Sequence, residues 1–210
     1  MPGLGADLLA LVRRDGSIGH VWRQDDALLT GPDAPCNLAD VVHHIAAVHA
    51  RRPGLVDLTG GGGLLQPFGV AVVDGFSAER RYLARLVVAV GPLPPTPGQT
   101  LSQAALIGQR HALETLARSD RAGCADGAVT ALLMDWSAVR PVLDAAAVRF
   151  GLTPDHAGLP DLAALATTID TVDEGPGFAR AVGFGARQLL LQHRGLWDLL
   201  EARAHARRDA

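Results

Sequence analysis

Apolar residues recur at three- and four-residue steps along most of the 210-residue chain, the spacing of a single helix face. GADLLALVRR reads as a short amphipathic helix that ends before Asp15-Gly16, and the mixed stretch after it reads as strand or loop. In NLADVVHHIAAVHARRPG, Asn37 is placed as an N-cap and Pro53-Gly54 as the stop. Ser77 is placed to cap AERRYLARLVVAV, with Glu79 in the first turn. Further helices are expected from Thr100 or Ser102, from Ser119-Asp120 through RAGCADGAVTALLMDW, and from Ser137, with Pro141 in its first turns. A short one opens at Pro160-Asp161 and runs to Ile169, and a long last one runs from Phe178 to Ala206.

Period-two alternation is nearly absent, so the pattern predicts an all-α, single-domain bundle of about six helices over residues 1–210. A short irregular or β segment is expected before residue 77, where LTGGGGLLQPFG precedes the apolar run VAVVDGF. The proline-rich stretch 91–99 reads as a stiff linker between an N-terminal and a C-terminal helical part. Glycines at 108, 123, 127, 183, 185 and 195 fall inside helical patterns. Each costs about 1 kcal/mol relative to Ala, which predicts that some of them let two helix backbones come close.

Hydrophobic residues make up 48% of the chain but aromatic ones only 4%. The core must therefore be built from Ala, Leu and Val. The net charge of −3 and the lack of a basic stretch argue against a nucleic-acid partner. Every cationic side chain other than histidine is Arg, which with the Ala and Gly content points to a GC-rich bacterial source. No apolar run is long enough for a membrane span, and the first residues lack the basic start of a signal peptide. Cys36 and Cys124 stand alone, as free thiols do in a reducing cytoplasm.

The informative positions are polar residues on apolar faces. At 100° per residue, His49 shares a sector with Leu38, Val42 and Ile45, whereas His43 points to solvent. His44 lies at the border, one turn after the Asp40 carboxylate. Gln109 groups with Leu106, Leu113 and Leu116, and Gln192 and His193 sit in or beside the apolar stripe of the last helix. A buried polar group without a partner costs about 1–3 kcal/mol. His49, Gln109, Gln192 and His193 therefore pair across helices and fix their register, or they line a ligand pocket in the bundle core.

HRGLWD, with His193 and Asp198 four residues apart in the intervening count, resembles the last His/Asp pair of hemerythrin-like di-iron proteins. That resemblance implies a metal held by His193 and Asp198, to which His49 would add a third ligand. The family's HxxxE and HxxxH steps and the ferritin-like ExxH steps are missing, so on balance no cofactor is expected. LVDLTGGGGLL resembles the first motif of S-adenosylmethionine-dependent methyltransferases, with Asp57, Gly61 and Gly63 in the matching places. The strand, turn and helix that this motif needs do not fit before Val70. Cys36 beside Asn37 would be a nucleophile only if a histidine stood next to it. Asp25-Asp26 and Asp173-Glu174 read as solvated loop carboxylates, and Arg110, His111 and Glu114 as an exposed charged face.

Two functions follow from this pattern. The first is a non-catalytic scaffold or partner-binding protein that self-associates. The alternative is a small-ligand or metal-binding enzyme with a His/Gln-lined pocket in the bundle core.

Overall fold

The computed structural model describes residues 3–59, 62–155, 158–172 and 175–210. Among them there is no strand, and nine α-helices pack around one continuous apolar core. In chain order these are α1 (Leu4–Asp15), α2 (Asp26–Leu29), α3 (Ala34–His49), α4 (Leu55–Thr59), α5 (Gly69–Val90), α6 (Gln99–Ala117), α7 (Cys124–Arg149), α8 (Leu162–Ile169) and α9 (Gly175–Arg208). Single 3-10 turns cover Ser17–Gly19, Val21–Gln24 and Gly63–Phe68.

The axis of the bundle is α7, apolar and buried on nearly every side over Ala128–Leu143, as expected of a helix that other helices surround. Its main partner is α9, whose stripe of Val182, Ala186, Leu189, Leu196 and Leu200 faces it. Two glycines set the closeness of that pair. A Cβ on Gly127 would lie 1.9 Å from the Val182 carbonyl oxygen, and one on Gly185 would lie 1.9 Å from that of Cys124. Gly108 has nothing near it, Gly183 and Gly195 meet only side-chain tips, and Gly123 is the left-handed N-cap of α7. Backbone approach at 1.9 Å thus accounts for two of the six glycines, and Gly123 adds a looser one, its Cβ position lying 3.0 Å from the Phe178 carbonyl oxygen.

The helices differ from the sequence-based expectation in identifiable ways. α5 begins at Gly69, and the apolar run expected to be irregular or extended is its first two turns. Val72, Phe76, Glu79, Leu83, Leu86 and Val90 are all buried on one continuous face, so Ser77 falls mid-helix on the wetter side, where its hydroxyl accepts from Arg52 at 2.6 Å. α7 does not break at Ser137 either. Burial on both sides of Pro141 carries the helix through, and the Ser137 hydroxyl donates to the Met134 carbonyl at 2.7 Å instead of capping. α3 starts at Ala34, with Pro35 in its first turn. Asn37 is inside the helix and bonds the Ala27 carbonyl at 2.7 Å and Arg207 at 2.5 Å.

Short-range caps finish the packing. Asp161 caps α8 by accepting from the backbone of Ala163 and Ala164 at 2.9 and 3.0 Å. Asp170, just past α8, accepts from Gly5 at 2.6 Å and Ala6 at 3.3 Å, joining the start of α1 to α8. The stretch between α5 and α6 is tied down: the Pro94 carbonyl and the Thr96 hydroxyl both accept from Arg203. Gly60, Gly61, Asp173 and Glu174 lie outside the described residues. The neighbouring Asp57 sits in α4 and Gly63 opens a 3-10 turn, so the strand-turn-helix of a methyltransferase motif is not formed by the described part of that segment.

Candidate functional site

Three helices and one turn bring a line of polar groups through the core. His49 ends α3, His193 is in the middle of α9, Asp135 is in the middle of α7, and Ser17 follows α1. All four are buried, from 0% exposed for Asp135 and Ser17 to 5% for His49. Asp135 Oδ1 accepts from the Ser17 backbone N–H at 2.7 Å, and Oδ2 from its hydroxyl at 2.5 Å. His193 Nδ1 stands 2.6 Å from Asp135 Oδ2, and His193 Nε2 stands 3.1 Å from His49 Nε2.

These partners assign the ring protons for the state in which both imidazoles are neutral. A carboxylate only accepts, so His193 Nδ1 carries the hydrogen it donates to Asp135. In a neutral ring His193 Nε2 is then an acceptor, and His49 Nε2–H donates to it. This leaves His49 Nδ1 as a bare lone pair, with no partner among the described residues. Burial holds His49 well below its ordinary pKa, and His193 and Arg80 push in the same direction. At neutral pH the His49 ring is uncharged.

Several groups fix that ring. Trp136 meets it edge to face with centroids 5.5 Å apart. Trp136 Nε1 donates to Glu79 at 2.9 Å, and the other Glu79 oxygen accepts from Arg140 at 2.6 Å. Burial raises the Glu79 pKa against the opposing pull of Trp136 and Arg140. Arg80 Nε donates to the His49 carbonyl at 3.2 Å, while its two terminal nitrogens pair with Asp57 at 2.8 and 2.7 Å. The Arg80 guanidinium also lies 5.0 Å from the Phe76 ring centre.

His49 forms part of the wall of a cleft shared with Arg51, Arg80, Leu113, Glu114 and Leu132. Its enclosed space is about 30 Å³, room for a water or the head of a small molecule rather than for a whole cofactor.

The other sequence-derived candidates fall elsewhere. Gln109 Nε2 donates to the Gln192 carbonyl at 3.3 Å, so these two residues meet each other across α6 and α9 and do not line the cleft. Asp198 does not join the two histidines. It is largely exposed and bonds His20 Nε2 at 3.0 Å. Among the described residues no group of three or more His, Cys, Asp or Glu side chains is arranged to hold a metal ion. His44 is buried, and its Nδ1 pairs with the Asp40 backbone carbonyl at 2.7 Å instead of the carboxylate. His43 is half-buried against the Gly91 carbonyl at 2.9 Å, and Cys36 is exposed in the first turn of α3. Arg110 and Glu114, read as a wet face, contribute to the lining of the cleft.

Sequence reasoning missed Ser17, Asp135 and Arg80. One signal was present: Asp135 is the lone charge in AVTALLMDWSAV, where an unpaired carboxylate would be very costly.

The fold and the site define a helical bundle with a buried Ser-Asp-His-His line that ends at a cleft. The chain belongs to DUF6975, described as a family of unknown function, whose model matches residues 12–208 and so takes in all four residues of the line. No curated protein and no solved structure matches the chain. No helix among the described residues is long and apolar enough to cross a membrane.

Proposed function

We propose that the protein binds a small ligand at the His49 cleft and that the line behind it handles a proton. The observation that supports this reading is the unpartnered Nδ1 of a neutral His49 whose other ring nitrogen is already engaged by His193 at 3.1 Å. A proton taken up at Nδ1 would be matched by transfer of the Nε2 hydrogen to His193, with Asp135 stabilising the resulting charge. The Asp135 carboxylate orients the first imidazole and the first orients the second, as a base is held in acid–base sites. A metal held by His49 and His193 would have to draw its remaining ligands from water or from the ligand itself.

The test is a ring-nitrogen NMR spectrum of the full-length chain during a screen of small polar molecules, with metal analysis of the purified protein. A ligand that shifts both His49 and His193 ring nitrogens supports the reading. Ligands whose effects leave both rings unmoved overturn it, and a stoichiometric metal replaces the proton line with a metal site.

A second reading, a self-associating scaffold in the cytoplasm, draws support from the outer face of α9. Phe184 and Leu191 are 41% and 57% exposed there, two turns apart on the same side. Light scattering over a wide concentration range tests it, and a strict monomer overturns it.

A further inference from the structure

We propose that the ligand of this cleft is a short carboxylate that also carries a hydroxyl group; this rests on the His49 cleft being the working site. Three arginines, Arg51, Arg80 and Arg110, contribute to the lining against one carboxylate, Glu114. Arg80 is occupied by Asp57 and by the His49 carbonyl. Arg51 and Arg110 have no hydrogen-bonded or ion-paired partner among the described residues. A guanidinium offers a planar fork of donors that suits a carboxylate. The anion therefore belongs with Arg51 and Arg110.

The inner end selects a different group. His49 Nδ1 is a lone pair, and it would repel a carboxylate oxygen pushed against it. It accepts from a donor, and an ammonium donor is disfavoured beside the arginines; of the neutral donors the smallest, a hydroxyl, suits a space of about 30 Å³. The rest of the wall is apolar, formed by Leu55, Phe76, Leu113 and Leu132, so it suits a short carbon skeleton that carries the two groups close together. An enclosed space of about 30 Å³ admits only the head of such a molecule, which excludes nucleotides and other bulky anions from entering whole.

The experiment titrates the full-length protein with lactate, propionate and propane-1,2-diol while following the ring nitrogens of His49 and His193. Lactate is expected to shift both rings, and propionate and the diol to bind at least tenfold more weakly. Arg110→Gln and Arg51→Gln are each expected to weaken lactate by at least tenfold while leaving the thermal unfolding midpoint unchanged. If the diol binds as tightly as lactate, the anion assignment is overturned although the His49 cleft remains the site. If propionate equals lactate, the hydroxyl requirement and with it the proposal is overturned. If none of the three moves either ring while other small molecules do, the ligand class is wrong. If no small molecule of any kind moves them, the site reading fails as well.

Discussion

Two kinds of buried polar assembly run through the same helices, and they end differently. At one end of the bundle Arg203 of α9 donates to both oxygens of Asp40 at 3.0 Å, and to Gln99, Ser102, Thr96 and the Pro94 carbonyl. Arg207 reinforces it by bonding Asp40, Thr96 and Asn37. Arg140 is treated alike by Glu79, Asp144 and the Asp155 carbonyl. In these assemblies each guanidinium is surrounded by oxygen atoms of its own chain, so nothing is left over for a ligand. The Ser17-Asp135-His193-His49 line is equally buried, yet its last residue lines a cleft and keeps one ring nitrogen unpaired. Closed networks fix helix register; the open one has a chemical capacity left to use.

The comparison breaks most readily at Asp135. Asp135→Ala strands the Ser17 N–H and hydroxyl and the His193 ring, and should cost about 3–5 kcal/mol in denaturant unfolding. A loss below ~1 kcal/mol would mean the line is not structurally committed. Arg203→Met leaves Asp40 buried with Arg207 as its only cation, and a loss of about 2–4 kcal/mol is expected. Pairing it with Asp40→Leu should restore most of that, because a closed network serves packing and can be exchanged for apolar residues. No such rescue is expected for an Asp135→Leu/His193→Leu pair in ligand binding, whatever its stability.

Gly127→Ala, which forces a Cβ onto the Val182 carbonyl, should cost about 1–3 kcal/mol by the same assay. Gly183→Ala, whose Cβ would meet only the Arg187 tip at 3.6 Å, should be neutral or stabilise by up to ~1 kcal/mol. The smallest effect is a pH slope. His49 and His44 are both held below the ordinary value of 6.5 in the fold, so the unfolded chain takes up protons first as pH falls through that value. Stability should be complete above it and decline below it. His49→Gln should flatten part of that decline in thermal melts between pH 8 and pH 5, and an unchanged slope would contradict the assignment of a neutral buried ring.

Much of this was legible in the chain as a string. The three- and four-residue spacing around Leu38, Val42, Ile45 and His49 placed His49 inward because a helix face depends only on local geometry. The same holds for His193 beside Leu189 and Leu196. Boundaries were less legible. Ser77 and Ser137 look like caps, but a cap competes with continued burial, and Val72 with Phe76 on one side and Val139 with Val142 on the other settle it in favour of longer helices. Gln109 and Gln192 were placed toward the interior together with the histidines, but an inward direction on one helix carries no information on the height at which it meets another.

What the sequence determined alone is the helical class and the inward faces, since these follow from periodicity within single segments; the buried charges Asp40, Glu79, Asp135, Arg140 and Arg203 were not among them. The pairing of residue 49 with 193, the arrival of Asp135 and Ser17 behind them, and the gathering of arginines around the cleft were decided by tertiary packing. Those contacts depend on how far two helices slide and how closely they approach. Gly127 and Gly185 set that approach through backbone contact between α7 and α9, which no single-segment pattern encodes.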